Sequence, residues 1–293
     1  MKIGYFAVGI GATVDPELLR SVAMAAERLG FATLWAPEHV VLVEEYASKY
    51  PYSNGQFPGP PDIPIADPFT TLAYAAACTS TIRLGTGICL VPEHNPLVLA
   101  KTVATVDRLS GGRFILGVGV GWLAEEFAAL GIPFERRGAR TREYIEIMRR
   151  LWTEPASSHV GEFVNFSGVL SYPKPAQTAG VPVWFGGESE AALRRVAAYG
   201  DGWLGFNVAP ADAASKIRRI EELLAANGRS RSDVTLAVSP YTQPIAPDDL
   251  KRYRDAGADE VALLIRGRPE TEHDIISRLE QMARDFVEPA SRL

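Results

Sequence analysis

Eight short apolar runs recur along the chain, separated by stretches in which apolar residues return every three or four positions. The runs are KIGYFAVG from Lys2, ATLWAP from Ala32, IRLGTGICL from Ile82, RFILGVGV from Arg113, VPVWFG from Val181, GWLGFN from Gly202, TLAVSP from Thr235 and EVALLI from Glu260. Hydrophobicity is nearly continuous within each, which predicts parallel strands covered on both faces rather than a half-solvated antiparallel sheet. Between them, Leu18, Val22, Ala25 and Leu29 predict one helix face. Tyr144, Ile147, Met148, Leu151 and Trp152 predict another, and Ile275, Leu279, Met282 and Phe286 a last one. Asp15-Pro16, Asp67-Pro68 and Asn95-Pro96 each set a capping side chain before a proline at the first helical position, where the missing N–H costs least. The alternation predicts an α/β fold, a single (β/α)₈ TIM barrel over residues 1–293. A doubly wound open sheet is the competing architecture.

Two insertions interrupt the rhythm. Residues 41–66, VLVEEYASKYPYSNGQFPGPPDIPIA, follow the second strand and are rich in Pro, Gly and aromatic residues, far longer than an ordinary loop. Barrel sites lie at strand C-termini, so this segment is expected to cover a substrate. Residues 154–180 precede the fifth strand and include HVGEFVNFSG, which predicts a small hairpin at the opposite end of the barrel.

Composition narrows the class. With 293 residues, 47% of them hydrophobic and 22% charged, the chain can bury a large core and is neither disordered nor fibrous. A net charge of -5 without long blocks of one sign offers no surface for nucleic acid. No apolar run reaches membrane-span length, and MKIGYFAVGI lacks the basic start and cleavage site of a secretion signal, so a cytoplasmic protein is expected. Cys78 and Cys89 form no CxxC pair, which argues against a disulfide framework or zinc ribbon.

The segment VPVWFGGESEAALRRVAAYGDGW, from Val181 to Trp203, reads as a strand, a glycine turn and a helix start in succession. Free backbone N–H groups and the positive end of a helix dipole converge there, which is how proteins hold phosphate; a plain βα turn is the alternative. GVGVG from Gly117 is not a dinucleotide fingerprint, because Trp122 stands where GxGxxG needs its third glycine. Its alternating glycines could instead clear one strand face for a flat ring, or simply fill a tapering barrel. The chain's four histidines form no HxH or HExxH pair, and no GxSxG is present, so neither a metal hydrolase nor a serine hydrolase is expected. His39, with Glu38 beside it in WAPEHV, is the best acid/base candidate: it follows the second strand, and imidazole titrates near neutrality. A structural, capped histidine is the competing reading.

The elements WAPEH, VPEHNP, LSGGRFILGVGVGWLAEEF and GGESEAALRRVAAYGDGW together resemble the bacterial luciferase-like monooxygenase superfamily over nearly the whole chain. GIGATVDPELLR and YPYSNGQFPGPPDIP are similar to a branch of oxidoreductases dependent on the deazaflavin coenzyme F-420. The resemblance implies a barrel holding a flavin-type ring, with Gly186, Gly187, Glu188 and Ser189 around its phosphate. It places a non-proline cis peptide at Gly87-Ile88, followed by Cys89, under the ring. Val120, Gly121 and Trp122 match positions beside the ring, and Trp203 is expected to flank the site. Trp122 replaces a glutamate that sugar-phosphate-oxidising relatives carry, which argues against that substrate. The implied activity is hydride transfer to or from a small organic molecule by F-420, with FMN-dependent monooxygenation, as in alkanesulfonate monooxygenases, and a non-catalytic cofactor-binding barrel as alternatives. A homodimer is expected by the same resemblance.

Overall fold

The computed structural model describes residues 1–265, 267 and 271–293. In chain order the elements are β1 (Lys2–Phe6), α1 (Pro16–Arg28), β2 (Thr33–Ala36), α2 (Pro68–Cys78), β3 (Arg83–Thr86), β4 (Cys89–Leu90), α3 (Pro96–Leu109), β5 (Phe114–Gly119), α4 (Ala124–Ala129) and α5 (Arg137–Thr153). The chain continues with β6 (Ser157–Val160), β7 (Asn165–Val169), β8 (Val183–Gly186), α6 (Glu190–Tyr199), β9 (Gly202–Phe206), α7 (Pro210–Ala226), β10 (Thr235–Ser239), α8 (Asp249–Asp255), β11 (Glu260–Leu263) and α9 (Glu272–Met282). A π turn then leads into α10 (Glu288–Ala290).

The sheet closes on itself. β1, β2, β3, β5, β8, β9, β10 and β11 pair in that order, all parallel, and β11 returns to β1 with Lys2 opposite Glu260. The eight-stranded barrel is therefore the architecture, and the open sheet is not. All three Asx-Pro helix starts form as expected: Asp15 accepts from Glu17 and Leu18, Asp67 from Thr70, and Asn95 from Leu97 and Val98. The hairpin before the fifth barrel strand is β6–β7, and the segment after it bonds to the start of β5 through Gln177 and the Phe114 carbonyl, at the N-terminal end of the barrel.

One apolar layer lies between the strands and the helices, and a second fills the barrel interior, where Phe6, Trp35, Ile115, Trp184 and Leu204 meet. Trp35 and Trp184 touch across the axis at 5.4 Å between ring centroids. Beneath them Glu260, fully buried, accepts from Arg83 at 2.7 Å, from the Trp35 indole at 2.9 Å and from the Thr33 hydroxyl at 3.1 Å. Glu260, Arg83 and Thr33 start their strands, so a polar plug closes the N-terminal end and leaves the other end for a site. Replacing Arg83 by Ala strands a buried carboxylate and should lower unfolding free energy by about 3 kcal/mol. Denaturant titration checks this, and a change no larger than about 0.5 kcal/mol, as at an ordinary surface position, would contradict the plug's role.

Candidate active site

All eight strands end on one cavity of about 650 Å³, within the range of small-molecule sites. Its wall takes Phe6 and Ala7 from the end of β1, His39 after β2, Gly87 and Ile88 after β3, and Trp122 after β5. Gly186 and Gly187 from β8, Phe206 from β9, Tyr241 after β10 and Leu264 after β11 complete it. The first insertion closes it from above through Tyr50, Tyr52, Phe57 and Ile63, as expected of a lid. Ala7, Asn207 and Tyr241 have φ of 75°, 57° and 50°. Such left-handed conformations are uncommon outside glycine, and these three gather at strand ends on the rim.

His39 stands where the sequence placed it, but its carboxylate partner is not Glu38. His39 Nδ1 lies 2.8 Å from Glu126 Oε2, while Oε1 of the same carboxylate accepts from the backbone N–H groups of Val40 at 2.7 Å and Val41 at 3.1 Å. With Nδ1 occupied, Nε2 is the nitrogen left for proton exchange. Phe57 and Trp122 meet the imidazole edge-on at 5.4 and 5.9 Å.

Glu38 reaches the cavity wall, yet both its oxygens are taken, one by the Leu90 N–H at 2.5 Å and the other by His94 Nε2 at 3.0 Å. The expected pairing of Glu38 with His39 as an acid/base couple is corrected accordingly: Glu38 braces β4 and the following turn. Burial works against charge on His94, but the hydrogen bond and charge of Glu38 outweigh it and raise the His94 pKa. Cys89 joins this pair, its thiol pushed up by burial and by Glu38. Donor atoms of the trio lie within 4.8 Å of one another, the one such set among the described residues. With Glu38 satisfied from both sides, it forms a closed brace.

Gly87-Ile88 is cis, as the resemblance implied. The alternating glycines of β5 do not face a ring directly. A Cβ at Gly119 would stand 2.1 Å from Ile88 Cδ1, so the missing side chain seats Ile88, which then forms cavity floor. Cys89, Val120 and Gly121 are absent from the wall; of that group only Trp122 reaches it.

At the glycine turn, Gly187 has φ of 97°, a conformation that suits glycine alone. Ser189 caps α6 by accepting from Ala192 at 3.2 Å, and the other first-turn N–H groups have no intrahelical partner. The turn thus offers main-chain donors suited to an anion. The Glu188 side chain is no part of them: its carboxylate accepts from Phe206 N–H at 2.6 Å and from the Tyr52 hydroxyl at 2.8 Å, tying cradle to lid. Burial raises the Glu188 pKa, and burial with the nearby Glu188 charge raises that of Tyr52. Trp203 does not flank the cavity. Its indole is fully buried and donates to the Gly187 carbonyl at 2.9 Å, bracing the turn from behind. Glu126, Tyr50, Tyr52, Phe206 and Tyr241 went unread in the sequence; the acidic pair of WLAEEF looks there like ordinary first-turn helix charge.

The profile of the luciferase-like monooxygenase family matches residues 1–283. An uncharacterized protein of Mycobacterium tuberculosis is 36% identical over 243 residues, 82% of this chain and 84% of that one. The 5,10-methylenetetrahydromethanopterin reductase of Archaeoglobus fulgidus is 30% identical over 203 residues, 69% of this chain and 59% of that one. In structure, the coenzyme F420-dependent tetrahydromethanopterin reductase of Methanopyrus kandleri superposes with a TM-score of 0.75 at 18% identity, covering 98% of this chain and 99% of that one.

Glu126 carries the lid's first hydrogen bonds. Glu126→Ala leaves three donors without their acceptor and should cost about 2–4 kcal/mol of stability. Amide exchange at residues 40 and 41 should accelerate with it; unchanged protection there would show that the lid is held by something else.

Proposed function

The chain belongs to the luciferase-like monooxygenase family, and on that premise we propose that it is an oxidoreductase using the deazaflavin coenzyme F-420 for hydride transfer to or from a small organic substrate. One observation carries this reading: the strand ends bring His39, the Ile88 floor and the main-chain donors of the Gly187 turn around a single apolar cavity. Those donors suit a cofactor phosphate, and the aromatic walls suit a flat ring and an uncharged organic partner. The sequence similarity to a 5,10-methylenetetrahydromethanopterin reductase supports taking a reductase's hydride chemistry as the first reading.

Gly186, Gly187 and Ser189 would hold the phosphate end through backbone N–H groups, and Ile88 and Trp122 would bound the ring. When bound, the deazaflavin supplies a carbon-centred hydride donor or acceptor. His39 gives or takes the accompanying proton at Nε2, oriented by Glu126 at Nδ1. Tyr50, Tyr52 and Phe57 line the lid side of the cavity and would shield a bound ring from water. The Tyr50 hydroxyl stays protonated, since burial, then Tyr241 and Glu188, push its pKa up.

His39→Ala separates this reading from a cofactor-carrying barrel. Turnover should fall by about 10²–10⁴-fold while F-420 affinity stays within about twofold. Undiminished turnover would remove His39 as the proton-transfer group, and loss of cofactor binding would make it a structural residue.

A further inference from the structure

Glu93 is 7% exposed, and neither of its carboxyl oxygens has a hydrogen-bond partner among the described residues or measurable solvent contact. It ends the 3-10 turn Val91–Glu93 that follows β4. Its carboxyl lies against the turn leading to Trp122 and α4, since a Cβ at Gly121 would stand 3.1 Å from Glu93 Oε1. Two further carboxyls, Glu126 and Glu38, lie near enough to act on it through their charge. Glu126 has the imidazole and two backbone donors, and Glu38 has His94 and the Leu90 N–H. Glu93 has none.

A buried carboxylate without donors is costly, and the same group as a neutral acid is far less so. Burial, followed by the charges of Glu126 and Glu38, pushes the Glu93 pKa up to about 9. The other titratable or charged groups around it are His39 on Glu126, His94 and the Cys89 thiol on Glu38, and Arg137, whose Nε donates to the Gly121 carbonyl at 3.1 Å.

We propose that Glu93 is a positioning residue for His39: an acid held neutral behind the Glu126–His39 pair, whose ionisation adds a second negative charge there and tightens the hold of His39 on its proton. The sign follows from charge. Below about pH 9 the acid is neutral and Glu126 alone faces the imidazole; above it a second anion favours imidazolium. Coupling is reciprocal, so a positive charge at His39 also eases ionisation of Glu93. The consequence for turnover rests on reading His39 as the proton-transfer group; the titration itself does not.

Side-chain NMR of protein labelled with ¹⁵N-histidine and ¹³C-carboxyl glutamate tests this without cofactor or substrate. In the wild-type protein one glutamate carboxyl should titrate near pH 9 and the His39 ring nitrogens should shift with the same midpoint. Glu93→Gln should abolish both steps, and where F-420 turnover is measurable its pH profile should lose the matching inflection. Glu93→Asp, which keeps the acid, should retain the His39 step at a changed midpoint and serves if the Gln variant does not fold. His39 signals that pass through pH 9 unmoved, or a step that survives in Glu93→Gln, would overturn the proposal. Coupled titration without any turnover would leave it standing and count against the hydride-transfer reading instead.

Discussion

A single buried carboxylate, Glu126, sets the geometry of the open end of this barrel. One oxygen fixes His39 and the other holds the backbone N–H groups of Val40 and Val41, where the long insertion begins, so ring orientation and lid attachment share one anchor. Glu125 beside it accepts from the Ala47 and Ser48 N–H groups further along the same segment. The start of α4 thereby clamps the lid at two points. Further along, Tyr52 bonds to Glu188 at the glycine turn. A loop this long would otherwise lose much entropy on closing, and these ties localise it over the strand ends.

The barrel divides its polar groups by end. At the N-terminal end Arg83, Thr33 and the Trp35 indole saturate Glu260, and the two tryptophans above them seal the axis. At the C-terminal end Glu126 and Glu93 are not part of the wall, Glu38 reaches it with both oxygens bonded, and what faces the cavity is otherwise largely aromatic and aliphatic, with His39 among it. The floor depends on a close approach: Gly119 leaves room for Ile88, and the cis peptide at Gly87-Ile88 turns β3 into the short β4, which pairs again with β5. Behind the cradle, the Trp203 indole holds the Gly187 carbonyl.

The fold was legible because its signals are local. Continuous apolar runs marked all eight barrel strands, and Asp15, Asp67 and Asn95 announced helix starts within three residues of the groups they cap. The site was legible only in part. His39 and the Gly186-Gly187 turn could be placed because barrel topology dictates which strand ends face the ligand. Glu126 could not, since it meets His39 across 87 residues of chain, and no periodicity reports a pairing between a loop and a distant helix start. The same limit misdirected Glu38, adjacent to His39 in sequence but turned to His94, and Trp203, apolar and near the turn but packed behind it. Pattern shows which face of a strand is buried and leaves open which buried group braces another.

The account stands most directly on what the cavity binds. Equilibrium titration of the purified protein with coenzyme F-420 and, separately, with FMN, followed by ring fluorescence, puts the two against each other on one surface. The predicted result is saturable binding of F-420 at clearly lower concentration than FMN. Tight FMN binding with no detectable F-420 binding would contradict it.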